Sequence, residues 1–284
     1  MYWLICYSLL ACITTSTIAQ SGKDRKDIVY AEVADRKLLL DIYFPRETNP
    51  YLIVWVHGGA WHSGTRTSPP LSFVKSGYAI ASVDYRLSGE AKFPAQINDI
   101  KAAIRYLRAN AAKHGYRSDK IIISGSSAGG HLAALVGVTN GHGELEGGLG
   151  DYKETSSSVQ AIIDYYGPTN LTTIIKQSTP HGIGVRGPAM ALLLGKPVEN
   201  SQELAKLASP VHHVSADDPP LLIFHGDQDI QVPINQSHEL VGAYKRNKLK
   251  VHLEVVHGGG HSDTPYFEPE YQSVAEKFLL EVLK

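Results

Sequence analysis

Residues 121–134 read I-I-I-S-G-S-S-A-G-G-H-L-A-A, and this stretch decides the fold. Three consecutive isoleucines predict a buried strand, and the Ala- and Leu-rich run that follows Gly130 predicts a helix. Ser127 lies at the junction, with Gly125 two residues before it and Gly129 two residues after it. The G-x-S-x-G pattern is typical of a sharp strand-to-helix turn, because residues without bulk let the two backbones approach closely. In such a turn the central serine projects its hydroxyl, which favours Ser127 over its neighbour Ser126 as a nucleophile.

Alternating strand and helix patterns on both sides of this turn predict an α/β fold. Two short runs at 28–32 and 38–44, separated by a charged turn, predict an antiparallel N-terminal hairpin. Further strands are predicted at 51–56, 78–84, 159–166, 219–226 and 250–256, with helices at 96–110, 234–247 and 271–283. This alternation favours a mostly parallel central sheet with helices on both faces. We expect one α/β domain over residues 26–284, with an irregular cap or insertion at about 139–158 and 170–218.

Size and composition exclude several classes of function. The chain has 284 residues, of which 43% are hydrophobic and 19% charged, which is enough to bury a large core. The 27 Lys and Arg residues nearly balance the 28 Asp and Glu residues, so no electrostatic footprint for nucleic acid is present. Both cysteines, Cys6 and Cys12, lie near the N-terminus, which excludes disulfides and cysteine metal sites from the rest of the chain.

The N-terminus carries an apolar run at residues 2–13, and the first charged side chain is Lys23. The run is shorter than the roughly 20 residues of a membrane span, and small residues follow it up to Ala19. We therefore expect a signal peptide over residues 1–19 and a secreted or periplasmic protein. Two alternatives stay open: residues 9–12, L-L-A-C, resemble a lipoprotein box that would attach a lipid anchor at Cys12, and the run could also stay as an uncleaved arm.

Three candidate catalytic side chains follow three predicted strands. Ser127, Asp229 and His261 each lie just beyond the carboxyl end of a strand, where open α/β sheets place their active sites. Serine is a weak nucleophile at neutral pH, so it needs a histidine to take its proton and a carboxylate to orient the imidazole. The residues alone leave Asp227 open as the carboxylate.

A glycine-rich segment, His57-Gly58-Gly59-Ala60-Trp61, follows the predicted strand at 51–56. Glycines there let backbone N–H groups approach a ligand and stabilise a developing oxyanion. Trp61, Tyr85 and Tyr165 are candidates to line a substrate pocket, with core packing as the alternative.

The remaining histidines and basic residues have simpler expected roles. His57, His225 and His131 are expected to hold their segments through hydrogen bonds. The adjacent pair His212 and His213 lacks the spacing of metal ligands, so no metal site is predicted. In the helix at 96–110, Lys101, Arg105 and Arg108 are expected to form a solvated face.

From about residue 26 to its end, the chain resembles α/β-hydrolase fold serine esterases of the acetylxylan/feruloyl esterase-like (BD-FAE-like) group. The strings that carry the resemblance are HGGAW at 57–61, FPAQ at 93–96, GSSAGGH at 125–131, ASP at 208–210, DPP at 218–220, HGxxDxxVP at 225–233 and GGH at 259–261. The resemblance implies that Asp229 is the acid. It also implies an oxyanion hole formed by the N–H groups of Ala128, Gly59 and Ala60, with Gly58 as an alternative donor.

The same resemblance implies a serine carboxylic-ester hydrolase that works through an acyl-enzyme without metal or organic cofactor. Its expected substrates are small acyl esters, such as acetyl or feruloyl groups on plant cell-wall carbohydrate. Two other functions stay open. The H-G-G-A-W string also resembles the motif of kynurenine formamidases, which are amide hydrolases of the same fold, and a protein of this fold could act as a catalytically silent binding protein.

Overall fold

The computed structural model describes residues 23–262 and 264–284. The predicted signal peptide at 1–19 and the alternative lipid attachment at Cys12 lie outside the described residues. In the described ranges, no helix is both long enough and apolar enough to cross a membrane.

Eight strands form one central sheet. They are β1 (Arg25–Val33), β2 (Arg36–Tyr43), β3 (Tyr51–Val56), β4 (Ala79–Val83), β5 (Arg117–Ser126), β6 (Ala161–Tyr165), β7 (Leu221–Gly226) and β8 (Val251–Val256). Their order in the sheet is β1-β2-β4-β3-β5-β6-β7-β8. The hairpin of β1 and β2 is antiparallel and joins β4, whereas all pairs from β4 to β8 are parallel. The predicted mostly parallel sheet with an antiparallel N-terminal hairpin is confirmed.

Ten α-helices accompany the sheet in the described residues. They are α1 (Ser72–Lys75), α2 (Ala95–Ala109), α3 (Ala111–His114), α4 (Ala128–Gly137), α5 (Gly143–Glu146), α6 (Ile174–Gln177), α7 (Pro180–Leu194), α8 (Gln202–Leu207), α9 (Asn235–Arg246) and α10 (Pro269–Val282). Apolar side chains of α2, α4 and α9 pack on one face of the sheet, and those of α1 and α10 pack on the other. Because helices cover both faces, the strands β3, β4, β6 and β7 are buried almost throughout, as their continuous apolar sequences predict.

The segment 170–218, predicted as an irregular cap or insertion, contains one long regular helix, α7. Helix α7 has 15 residues and begins after Thr179, whose side chain accepts a hydrogen bond from the N–H of Gly182. Gly195, which follows the last residue of the helix, adopts a left-handed conformation at φ 82°. Short turns of helix on either side connect α7 to the sheet.

The prediction that the basic residues of α2 form a solvated face is wrong. Lys101 and Arg105 are only 0% and 3% exposed. The Nζ of Lys101 donates to Oε1 of Glu146 at 2.6 Å, and Nη1 of Arg105 donates to the Glu146 carbonyl at 3.0 Å, while Arg108 donates to the carbonyl of Ser158 at 2.6 Å. The segment 139–158 covers this side of α2 and supplies these acceptors, which the helical period of α2 alone cannot reveal.

Candidate active site

The turn after β5 holds Ser127 in an unusual backbone conformation. Its φ and ψ are 54° and −119°, and its N–H donates to the carbonyl of Tyr165 at 2.8 Å. A Cβ atom on Gly129 would lie 2.0 Å from the carbonyl oxygen of Val56, and one on Gly125 would lie 2.4 Å from the Gly129 carbonyl oxygen. The two glycines are therefore required because β3, β5 and α4 touch backbone to backbone, and this contact forces the sharp turn that projects the serine.

A continuous chain of hydrogen bonds joins the three candidate catalytic residues. The hydroxyl of Ser127 lies 2.9 Å from Nε2 of His261, and Nδ1 of His261 lies 2.7 Å from Oδ2 of Asp229. Because a carboxylate can only accept, Nδ1 carries the imidazole proton and Nε2 keeps a lone pair that faces the serine hydroxyl. This tautomer is the one that a general base requires.

Asp229 is surrounded by donors. Its side chain is fully buried, and its Oδ1 accepts the N–H groups of Gln231 and Val232, each at 2.8 Å. Burial raises the pKa of this carboxyl, but the nearby Nε2 of His225, 3.5 Å from Oδ2, and hydrogen bonds from His261 and the backbone of Val232 outweigh burial and hold the pKa well below its ordinary value. The carboxylate is therefore ionised throughout the neutral range.

Asp227 faces a different histidine. Its Oδ2 lies 2.9 Å from Nδ1 of His257, and its Oδ1 accepts the N–H of Gly258 at 2.8 Å. Of the two carboxylates that the residues left open, Asp229 is thus the one in contact with His261.

The glycine-rich segment after β3 turns sharply over the start of α4. Gly59, Ala60 and Trp61 all have positive φ, at 107°, 51° and 61°. A Cβ on Gly58 would lie 3.3 Å from the Cβ of Ser127, so the loop passes directly beside Ser127. As the first residue of α4, Ala128 has an N–H without an acceptor inside its own helix. The role of the Gly59, Ala60 and Ala128 N–H groups as oxyanion donors stays a prediction.

A buried histidine anchors this loop. The indole Nε1 of Trp61 donates to Nδ1 of His131 at 3.0 Å, and Nε2 of His131 donates to the carbonyl of Ala208 at 2.6 Å. Burial lowers the pKa of His131 to about 4, although its bond to Ala208 acts in the opposite direction. His131 is therefore neutral and connects the glycine loop, α4 and the cap.

Comparison with known proteins places this geometry in a family. The family model described as BD-FAE matches residues 40–244, a range that includes Ser127 and Asp229. The chain belongs to the BD-FAE family.

Individual relatives of this BD-FAE chain are esterases. Esterase LipC of Mycobacterium tuberculosis (strain ATCC 25618 / H37Rv) is 30% identical over 84% of the chain, which covers 59% of LipC. A truncated form of a carbohydrate esterase from gut microbiota is 35% identical, with a TM-score of 0.84 over 93% of this chain and 97% of that one. Esterase 2 of Thermogutta terrifontis, phosphorylated by paraoxon, is 27% identical, with a TM-score of 0.72 over 93% and 95% of the two chains. The chain spans about half the length of the curated relatives it matches.

The three aromatic residues considered for a pocket are buried in this BD-FAE chain. Trp61, Tyr85 and Tyr165 are 0%, 1% and 1% exposed. The hydroxyl of Tyr85 donates to the carbonyl of His57 at 3.1 Å, and the ring of Tyr165 stacks on that of Phe224 at 4.9 Å between centroids. These rings support the strands and the glycine loop, and their contact with substrate stays a prediction.

Histidines outside the triad hold neighbouring segments. His225 donates from Nε2 to the carbonyl of Val232 at 2.8 Å, and its Nδ1 lies 2.6 Å from the hydroxyl of Ser237, which fixes the turn that carries Asp229. His57 stacks on Tyr85, and Nε2 of His213 lies 2.8 Å from a backbone carbonyl, that of Leu207.

Two residues near the triad were missed by the sequence analysis. Arg186, on α7, is 2% exposed, and its Nη2 donates to Oε1 of Gln231 at 2.9 Å. It therefore braces the turn that carries Asp229, and its charge interacts with that carboxylate. The sequence signal for Arg186 was its position as the single arginine in the largely apolar sequence of α7. Tyr166, whose ring meets that of His261 at 4.9 Å and 64°, carried no comparable signal.

A buried carboxyl group lies beneath the turn. Asp164, on β6, is fully buried, and its Oδ1 accepts the N–H of Gly167 at 2.9 Å. In the described part of the chain, its Oδ2 has no hydrogen-bond partner. Burial raises the pKa of Asp164 to about 7, against the lowering effects of the Gly167 N–H and of His225. Asp164 is therefore protonated in the folded protein at pH values where an unfolded chain has lost that proton.

This difference makes stability depend on pH. Between about pH 4, where an unfolded aspartate ionises, and pH 7, Asp164 holds its proton in the folded state but not in the unfolded state, so its contribution to wild-type stability falls as pH rises. Asp164→Asn stays neutral and keeps an acceptor for Gly167. We expect the free energy of unfolding of the wild type, relative to this variant, to fall by roughly 2 kcal/mol between pH 5 and pH 8. Urea unfolding of both proteins at four pH values measures this, and a constant difference between them would contradict it.

Proposed function

We propose that this chain is a serine carboxylic-ester hydrolase that acts on small acyl esters through an acyl-enzyme. The observation that carries the proposal is the hydrogen-bonded series from Ser127 through His261 to Asp229. Support also comes from the relatives, which are named as esterases and carboxylic ester hydrolases.

In the first half of the reaction, the Ser127 oxygen attacks the carbonyl carbon of the ester while its proton passes to Nε2 of His261. Asp229, ionised and bound to Nδ1, stabilises the imidazolium that forms. The negative charge on the former carbonyl oxygen is met by the N–H groups of Ala128, Gly59 and Ala60. The imidazolium then protonates the leaving alcohol, which leaves an acyl group on Ser127.

In the second half, water takes the place of the alcohol. His261 removes a proton from the water, whose oxygen attacks the acyl carbon. The tetrahedral intermediate collapses, the acid leaves, and the proton returns to Ser127. One ester and one water thus give one alcohol and one acid.

For the substrate, we propose acetyl or feruloyl esters of plant cell-wall carbohydrate. A structural neighbour at 35% identity is a carbohydrate esterase, which supports a sugar as the alcohol. We further propose that the protein is secreted or periplasmic after removal of residues 1–19, with lipid attachment at Cys12 as the alternative.

A substrate panel tests this function. We expect acetate release from acetylated xylan and turnover of p-nitrophenyl acetate, with methyl ferulate showing whether a large acyl group is accepted. N-formylkynurenine completes the panel because it reports amide hydrolysis at a formyl group. A higher kcat/KM for N-formylkynurenine than for every ester would replace the esterase proposal with the formamidase alternative. Absence of turnover on all four would favour the silent binding protein.

A further inference from the structure

Helix α7 lies against the turn that follows β7. The hydroxyl of Thr179, at the start of the helix, donates to the carbonyl of Ile230 at 3.1 Å. A Cβ on Gly182 would lie 2.9 Å from the same carbonyl oxygen, so the helix backbone comes as close to the turn as a glycine allows. One helical turn further along, Nη2 of Arg186 donates to Oε1 of Gln231 at 2.9 Å. Helix α7 thus contacts the two residues that come directly after the acid of the triad.

These two residues form the turn around the carboxylate of Asp229. Oδ1 of Asp229 accepts the backbone N–H of Gln231 at 2.8 Å, and the side chain of Gln231 is the one that Arg186 holds. Ile230 is 54% exposed, so packing of its side chain does little to hold the turn. The other carboxylate oxygen, Oδ2, lies 2.7 Å from Nδ1 of His261. A shift of Gln231 would therefore move the carboxylate that orients the base.

Arginine is an unfavourable residue for the stability of the buried position 186. Arg186 is 2% exposed, and it is the only Lys, Arg, Asp or Glu in α7. Within residues 23–262 and 264–284, its Nε and Nη1 have no hydrogen-bond partner. Burying a charge that is so poorly paired costs more than burying an apolar side chain of similar volume. Stability alone therefore does not account for an arginine at this position.

The charge of Arg186 acts on Asp229. Burial lowers the pKa of Arg186, whereas the negative charge of Asp229 acts in the opposite direction. A guanidinium stays protonated in proteins, so Arg186 keeps a fixed positive charge within electrostatic reach of this carboxylate. The attraction between the two groups is stronger inside the protein than it would be in water, and it draws them together across the turn.

We propose that Arg186 is a positioning residue for Asp229, through which α7 holds the acid of the triad in the geometry that catalysis needs. The inference rests on the proposed esterase function. Arg186 acts through Gln231 and Asp229 and has no role in binding the ester. An arginine with a purely structural role would instead contribute to the stability of the fold and have no specific effect on kcat.

The test separates stability from catalysis. In Arg186→Met we expect kcat for p-nitrophenyl acetate to fall about tenfold with KM within about twofold of the wild type, because the acid is displaced while the ester-binding surface stays. The melting temperature of Arg186→Met should be no lower than that of the wild type, because methionine fills the position without a buried charge.

Arg105→Met is the matched control, since it makes the same change at a second buried arginine. Arg105, on α2, is 3% exposed, and it donates to the carbonyls of Glu146 and Leu149 at 3.0 and 3.1 Å. We expect the opposite result here. The melting temperature should fall, because two carbonyls lose their donor, and kcat should stay within about twofold of the wild type.

The effect of Arg186 should disappear when the charge of Asp229 is removed. In the Asp229→Asn background we expect Arg186→Met to change kcat by less than about twofold, because residues that act as one unit are not additive. A tenfold loss that persists in this background would overturn the inference. So would an Arg186→Met protein with the kcat of the wild type, or one that melts well below the wild type.

Failure of the esterase function itself gives a different result. If the wild type turns over none of the four substrates of the panel, positioning is measured by amide hydrogen exchange. The N–H groups of Gln231 and Val232, which bind Oδ1 of Asp229, should exchange about tenfold faster in Arg186→Met than in the wild type, and at the wild-type rate in Arg105→Met. Equal rates in Arg186→Met and the wild type would overturn the positioning role independently of any activity.

Discussion

Ser127→Ala is expected to lower kcat for p-nitrophenyl acetate by about 10⁶-fold and to abolish covalent labelling by paraoxon. The reason is that this substitution removes the only atom that the hydrogen-bond chain prepares for attack, the Oγ that faces Nε2 of His261 at 2.9 Å. Steady-state kinetics and intact-protein mass spectrometry measure the two effects.

The matched control for this prediction is Ser124→Ala. Ser124 lies on β5 three residues earlier, is fully buried, and has an Oγ that makes no hydrogen bond within the described chain. We expect Ser124→Ala to keep its labelling and its turnover within about threefold of the wild type. Both variants should unfold cooperatively. A Ser127→Ala protein that still reacts with paraoxon at another serine would show that the nucleophile is elsewhere.

Asp229→Asn is expected to lower kcat by about 10⁴-fold. An asparagine amide can donate to Nδ1 of His261, which would move the imidazole proton to Nε2 and leave no lone pair facing Ser127. The loss should therefore appear in kcat far more than in KM, since the ester itself does not touch this residue.

Asp227→Asn provides the matched control for Asp229. The same chemical change two residues earlier affects a carboxylate that binds His257 and the Gly258 N–H. We expect an effect on kcat of less than about threefold. The reverse pattern, with the large loss in Asp227→Asn, would mean that Asp227 orients the base when substrate is bound.

The fold could be predicted from the sequence because each strand or helix is specified by a pattern within its own short stretch of residues. Continuous apolar runs such as 51–56 coincide with strands that are covered on both faces, and the runs end where the sheet ends. In a parallel sheet those ends lie along one edge, so residues that follow β5, β7 and β8 converge without any knowledge of their contacts. For this reason Ser127, Asp229 and His261 could be chosen as a group.

The contacts that could not be predicted join residues distant in sequence. Lys101 finds its partner Glu146 in another segment 45 positions away, and Trp61 finds His131 70 positions away. Neither pairing produces a periodic pattern in the sequence from which it could be predicted. Arg186 is missed for the same reason, since its partner Gln231 lies in a turn that follows a different strand. The choice of Asp229 over Asp227 as the acid likewise needed the family resemblance. Both carboxylates lie in one turn, and they differ in which histidine they contact, which the sequence alone does not show.

The glycines of the turn have a consequence for how this protein can acquire new specificities. Cβ atoms at positions 125, 129 and 130 would lie 2.4, 2.0 and 2.2 Å from Gly129, Val56 and Asp164 respectively, so these positions do not accept larger residues. Position 126 lies between them, and its side chain lines a separate cavity together with Trp55 and Phe267. Substitutions at this one position can therefore change the surroundings of the turn while the glycines keep Ser127 in place.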